Sequence, residues 1–292
     1  MTTITTATSA NAWSPDVTAL APAATVPDAL ILQCSTQLAT VEGDDVAVRA
    51  AFIDDDNETE FVPEGQAINK TEPTLSEVLI FTAKLARLAA VSSEQYKQTM
   101  TAQNLADSLR RALTVKANQA FLAQPAPADN AVTPPAGLLN IPGIIDGGTL
   151  DTDLDVLADV LAVLQTNYAN PTHIIAAPSA WATLRKLKQA DTWNASLLGA
   201  GTQDAQPFLF SLPVIVNPAM PADKLLILDK SAVVSAVGQV MVATSADLLF
   251  DEDNIAVRAT WRFGQAVVHP DRLAVVTVAG ADVEDEKPPV KP

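Results

Sequence analysis

Positive charge, cysteine, histidine and aromatic side chains are all scarce in this chain of 292 residues, and each shortage removes a class of function. Lys and Arg total 18 against 34 Asp and Glu, for a formal charge of -16. Tight nucleic-acid binding draws its affinity from cationic contacts with phosphates, so the chain is a poor candidate for gripping or reading nucleic acid, though it could enclose DNA. The single cysteine, Cys34, rules out an intrachain disulfide scaffold and fits a reducing compartment. Together with only His173 and His269 it cannot assemble a typical structural zinc site. No run approaches ~18 consecutive apolar residues, and the opening MTTITTATSANAWSPDV has neither the charged nor the apolar region of a secretion signal. Neither membrane insertion nor export is expected.

Chemistry-bearing motifs are equally thin. The cluster Asp54-Asp55-Asp56-Asn57-Glu58 lacks the spaced Asp, Gly and distal Glu of a calcium loop and reads as a solvated acidic turn. Gly199-Ala200-Gly201-Thr202 is not followed by Lys and Ser or Thr, so it is a flexible loop rather than a phosphate cradle. Both histidines read as strand-end residues. No nucleophile, base and orienting group stand together, so no catalytic, cofactor-binding or metal-binding residues are assigned and no enzyme is expected.

What the chain does have is apolar bulk. Hydrophobic residues make up 48% and charged residues 18%, low in charge for a monomer whose whole surface meets water, so partners are expected to cover much of it. Residues 1–30, rich in Thr, Ala, Ser and Pro, suit an extended arm ordered only against a neighbour. Val46 to Ile53 and Phe61 to Pro63 are strand-like pieces around the acidic cluster, one arm of a projecting hairpin with its tip at Glu64 to Glu72. In the return segment, Thr74 to Val91, the spacing of Leu75, Val78, Leu79, Leu85, Ala86 and Ala89 favours helix.

Val91-Ser92-Ser93-Glu94 is a helix start. From Thr101 to Leu122, Leu105, Leu109, Ala112, Leu113, Lys116 and Ala120 recur at three- and four-residue steps without Gly or Pro, predicting a long amphipathic helix that Pro125 and Pro127 end. Ile144 to Gly148 reads as a turn. Beyond it, Asp151 to Tyr168 reads as a helix, His173 to Ala176 as a strand and Pro178 to Gln189 as a helix. Leu212 to Val216 and Lys224 to Leu228 read as strands, completing a compact α+β unit. Ile255, Val257, Ala259, Trp261 and Phe263 alternate with more polar neighbours in a half-buried strand. Ala281 to Pro292, acidic and proline-rich, reads as a mobile tail.

Several pieces in this order resemble the major capsid proteins of tailed bacteriophages, whose fold is named after phage Hong Kong 97. They are Glu64-Gly65, Lys84-Leu85 through Val91-Ser92, Gly137-Leu138, Pro178 with Trp181, Leu212-Pro213-Val214 and Arg262-Phe263-Gly264. The resemblance covers about residues 46–278 and points to a long strand, not a helix, for the return segment. It implies an α+β subunit with an N-terminal arm (1–45), an extended β-hairpin loop (46–92), a peripheral domain (93–148 and 230–280) with a spine helix at 101–122, an axial domain (149–229) and an acidic tail (281–292).

The implied function is assembly. Hexamers and pentamers would close an icosahedral shell around double-stranded DNA, in the virion after assembly in the host cytoplasm. The implied partners are a separate scaffolding protein, a portal and decoration proteins, with no membrane and no sequence-specific DNA contact. An encapsulin-like compartment shell, which shares the fold, is the alternative, and the Thr- and Ala-rich start weighs against it. Some relatives join a loop Lys to a peripheral-domain Asn, which here points to Lys70 and Asn254. That chemistry needs a desolvated amine beside a carboxylate, and a plain solvated Lys70 is the expectation. Arg110, Arg111 and Lys116 on the long helix are expected to pair with carboxylates of other subunits rather than DNA.

Overall fold

The computed structural model describes residues 17–53, 61–66, 75–98, 101–128, 131–190, 193–196 and 207–280. Its first half contains β1 (Val17–Leu20), α1 (Pro22–Thr25), α2 (Leu30–Cys34), β2 (Thr36–Val41), β3 (Ala47–Ile53), β4 (Leu75–Phe81), β5 (Ala83–Ser92), α3 (Ser93–Tyr96) and α4 (Thr101–Ala123). Next come β6 (Ile145–Leu150), α5 (Asp155–Thr166), β7 (His173–Ala176), α6 (Pro178–Lys186), β8 (Lys188–Ala190), β9 (Trp193–Ser196) and β10 (Phe208–Leu209). The chain continues through β11 (Leu212–Val216), β12 (Lys224–Leu228), β13 (Val233–Leu249), β14 (Asn254–Val267) and β15 (Leu273–Val278).

Two sheets organise these elements. The first has the order β1-β13-β14-β5, with β2 lying parallel to the start of β13. The β14 alternation holds from Val257 to Phe263, where Val257, Ala259, Trp261 and Phe263 are buried, but Ile255 is only half-buried and Ala256, expected on the polar face, is buried. Across this inner face Trp261 pairs with Leu85 on one side and Val240 on the other. A bulge in β13 frees the carbonyl of Gly238, which accepts a 3.0 Å hydrogen bond from the Trp261 indole. The second sheet, β10-β11-β7-β12-β15-β6, has β12 as a buried inner strand, hence the unbroken apolar run Leu225 to Leu228.

Helix α4 forms where the spacing predicts, one residue longer at its end. It packs Leu109, Leu113, Ala117 and Phe121, four residues apart, into the main core. The Ser92 hydroxyl caps α3, accepting from the Gln95 amide at 3.3 Å. At the far end of α4 Gly137 donates to the Gln124 carbonyl at 2.8 Å. A Cβ on Gly137 would lie 2.5 Å from the Gln124 nitrogen, so only glycine allows this closure. Gln265, 4% exposed, reaches from β14 and donates through Nε2 towards the carbonyls of Ala120, Phe121 and Ala136. It thereby serves helix-end acceptors that have no partner within the helix.

Several expectations need correction. The return segment is two strands, β4 and β5, as the resemblance implies and its periodicity does not, because β5 pairs with β14 in unbroken register from Ala83↔Phe263 to Ser92↔Asn254. Ile145 to Leu150 is strand β6, not a turn. The helix expected from Asp151 starts at Asp155, whose amide the Asp153 carboxylate accepts at 3.2 Å. Helix α6 ends at Lys186 rather than Gln189, giving way to β8. Strands β6 and β15, placed by sequence with the long-helix unit, hydrogen-bond in the second sheet: Val275↔Leu226 joins β15 to β12, and Val278↔Leu150 joins it to β6.

The described part of the arm is neither wholly extended nor dependent on a neighbour. Val26, Ala29, Leu30, Ile31 and Cys34 are buried in the main core. The Asn118 side chain of α4 accepts from the Leu30 amide at 2.8 Å, holding the first turn of α2. Asn118→Ala strands that buried donor and should cost about 1–3 kcal/mol. Urea unfolding should show the loss, and an unchanged midpoint would mean that the arm is held by packing alone.

Candidate functional site

Strands β3 and β4 form the hairpin, paired from Ala47↔Phe81 to Ile53↔Leu75. A two-stranded ribbon is marginal in water. This one is partly covered by its own subunit: Ala50 and Ile80 share a small core with Val41, Val234 and Ala236, and Val48 and Val78 pack against it. The root half of the hairpin therefore lies on its own subunit rather than projecting free.

The root is built at Thr82, where the chain leaves β4 and enters β5 alongside β14. Thr82 is 1% exposed, donates its amide to Val46 at 2.8 Å and bonds its hydroxyl to the Asp45 carbonyl. Arg262 of β14 donates through Nη1 to the Thr82 hydroxyl at 3.1 Å. The Thr82 and Asp45 carbonyls each lie 3.4 Å from the same nitrogen. Asp44 sits 3.4 Å from both Arg262 Nε and Lys84 Nζ. The Arg262 side chain is 16% exposed, so its links are shielded, whereas the exposed Lys84–Asp44 pair contributes little. Beside the root, Gly264 lets the Phe81–Thr82 backbone cross directly over β14. No motif search finds this cluster. A glycine inside an otherwise regular strand, which marks close backbone approach, was the available signal.

The residues weighed from sequence are scattered. His173 opens β7, with Nδ1 3.0 Å from the Thr172 hydroxyl, and His269 follows β14 beside the Phe52 ring, at a centroid distance of 6.4 Å. Burial, and then the Lys230 charge, push the His173 pKa below its ordinary 6.5. Protonation therefore favours the unfolded chain: this contribution to stability is lost as pH falls through about 6.5 and levels off below the folded-state value. His173→Gln should flatten the pH dependence of unfolding there, and an unflattened profile would assign it to the carboxylates.

Asn254 opens β14 and donates to Glu252 at 3.0 Å. Lys70, the acidic run 54–60, the hairpin tip from 67, the Gly199–Thr202 loop and the tail from 281 lie outside the described residues. Arg110 has an aspartate of its own helix, Asp107, at 3.9 Å. Cys34 is fully buried, and desolvation raises its thiol pKa to about 12. It should resist thiol reagents at pH 8 until the chain is unfolded. Ready labelling of the folded chain would contradict its burial. Among the described residues no three His, Cys, Asp or Glu side chains gather as metal ligands, and no helix is long and apolar enough to cross a membrane.

Large apolar side chains lie exposed on the hairpin (Leu79), on β5 (Leu88), on α4 (Val115), after α5 (Tyr168) and around β10 (Phe208, Phe210). They occur on both sheets and the long helix.

The profile of the phage capsid family matches residues 34–278. This chain belongs to the phage capsid family. No curated protein matches it. Solved structures with the same fold include a chain of Mycobacterium phage Ogopogo, 18% identical, with a TM-score of 0.60, covering 86% of this chain and 92% of that one. A chain from the capsid of a native GTA particle is 16% identical, with a TM-score of 0.61, covering 85% and 89%. One of Microbacterium phage Oxtober96 is 13% identical, with a TM-score of 0.63, covering 95% and 96%. The phage capsid protein described here is accordingly a structural major capsid protein with the Hong Kong 97-type fold, and it forms a capsid oligomer in the virion. The encapsulin-like alternative is not favoured.

Proposed function

We propose that this capsid protein assembles as hexamers and pentamers into an icosahedral shell around double-stranded DNA, in the host cytoplasm, and that it catalyses nothing. The observation that carries the proposal is the family match over residues 34–278. The division of labour follows the fold. The arm includes α2, which docks on α4. The extended loop runs from Val46 to its root at Thr82. On this reading the peripheral domain would be the α4 and β13–β14 layer, and the axial domain the unit built on the six-stranded sheet, a division supported by β6 and β15 hydrogen-bonding in that sheet. The acidic tail lies beyond Gly280.

Charge supports enclosing DNA without gripping it. A chain of -16 repels phosphates within a Debye length of about 8 Å and leaves the packaged molecule free to slide. Heterologous contacts that close into rings supply the capsomers. A separate scaffolding protein, a portal and decoration proteins are the further partners this reading expects. The test is to express the chain alone and examine the sedimented product by negative-stain electron microscopy. Rings, tubes or closed shells are expected. A chain that stays monomeric at every concentration, with and without a scaffolding protein, sinks the reading.

A further inference from the structure

An apolar cavity of about 160 Å³ lies between the first half of α4 and the inner face of the first sheet. Leu105, Leu109 and Leu113 wall it on the helix side, and Val240, Val242 and Val257 on the sheet side. Leu109 and Leu113 are buried, but Leu105 and Val242 are only half-buried, and Ala106 and Thr244 beside them are exposed, so the cavity opens to solvent at that end. A cavity of about 150 Å³ with such a lining stays dry and takes up benzene, so this one has the size and polarity for a single aromatic side chain.

Strand β1 decides which part of the chain stands at this opening. It runs antiparallel to β13, with Leu20 opposite Val240 and Val17 opposite Ala243. Leu20 itself lines the cavity, and so do Val240, Val242 and Thr244, alternate residues of β13 on one face of the sheet. The chain therefore enters β1 at the Thr244 end, where the cavity is open.

We propose that Trp13 of the same chain fills this cavity and pins the start of the arm beneath α4. Trp13 is the one aromatic residue among the sixteen that precede β1. It stands four residues before Val17, a reach of about 13 Å, which matches the roughly 12 Å of helix from Leu105 to Leu113. Pro15, between Trp13 and β1, has no N–H with which to extend the ladder on β13, and so releases the chain from the sheet edge just where Trp13 must turn towards the helix. At the mouth Arg110 is exposed, with only Asp107 of its own helix at 3.9 Å, and its guanidinium can stack on an indole face. Met100 is the rival from outside the described residues, but it directly precedes α4, about 20 Å along the helix from Leu113, and reaches only the near end.

The proposal stands apart from shell formation and is tested on the full-length chain, as free subunits or in a shell. Trp13→Cys combined with Ala106→Cys puts two thiols at the cavity mouth, and the one native thiol, Cys34, is buried. After oxidation with diamide, a non-reducing digest read by mass spectrometry should show a 13–106 disulfide within one chain. Its yield should exceed at least fivefold that of a 3–106 bond in the control pair Thr3→Cys and Ala106→Cys. In a second measurement, hydrogen exchange over Leu105 to Leu113 should quicken at least threefold in Trp13→Ala and stay near the parental rate in Trp13→Phe. No 13–106 bond, or one formed only between chains, overturns the proposal, and shells that form regardless leave the capsid reading standing. Exchange that responds to Met100→Ala but not to Trp13→Ala overturns it too, and gives the cavity to the link between α3 and α4.

Discussion

Gly264→Ala is expected to be among the most destabilising single-methyl changes in this protein. A Cβ built on Gly264 would stand 2.0 Å from the Phe81 carbonyl oxygen, 2.8 Å from its carbon and 3.1 Å from the Thr82 Cα. These are backbone atoms, so no rotamer change relieves the clash; either β14 or the β4–β5 crossing must move. Overpacking a well-fitted core costs about 1–3 kcal/mol, and a contact this short against backbone belongs at the upper end. Moving the crossing also pulls Thr82 away from Arg262 and tilts the hairpin from Val234 and Ala236. Urea unfolding should show a markedly lower midpoint with an unchanged slope. Hydrogen exchange should show the extra opening concentrated in β3 and β4. An unfolding midpoint equal to that of the parent would mean that the crossing is looser than its packing indicates.

How much of this was legible in the sequence depended on the range of the forces involved. The alternation Val257, Ala259, Trp261, Phe263 and the three- and four-residue steps of Leu105, Leu109, Ala112, Leu113, Lys116 and Ala120 are local patterns. The strand positions and Leu109 and Leu113 are buried, but the buried stripe of α4 continues through Ala117 and Phe121 and leaves Lys116 exposed. Residues 74–91 misled because Leu75, Val78, Leu79 and Leu85 are spaced as on a helix. Their strand state is set by β3 and β14, and pairing with β14 joins residues more than 160 positions apart. The hairpin root was invisible for the same reason: Asp44, Thr82 and Arg262 carry no shared motif and meet only through the crossing of two strands. The arm was misjudged from composition. Its scattered Val26, Leu30 and Ile31 lack a period, yet Asn118, a polar residue on the otherwise apolar side of α4, was the one local hint that something polar docks there.

Arg262→Ala carries the second large effect, and it should fall on assembly more than on folding. The guanidinium is the piece of β14 that bonds both sides of the hairpin root, Thr82 on the return strand and Asp45 on the outgoing one. Removing it leaves the hairpin attached through the small core around Ile80 but frees its angle to the sheet, and it leaves Asp44 with only the exposed Lys84. The subunit keeps its main core, so unfolding should remain cooperative, with a loss of about 1–3 kcal/mol for the buried polar groups left unpaired. A shell, however, repeats every subunit contact, and each 1.4 kcal/mol lost per contact raises the concentration needed to form it about tenfold. The variant should sediment as free subunits or small rings at a concentration where the parent closes shells. Arg262→Lys, which keeps the charge but loses the planar fork, should assemble at an intermediate concentration. Shells from Arg262→Ala at the parental concentration would show that the hairpin takes its angle from the neighbour it meets, not from its own root.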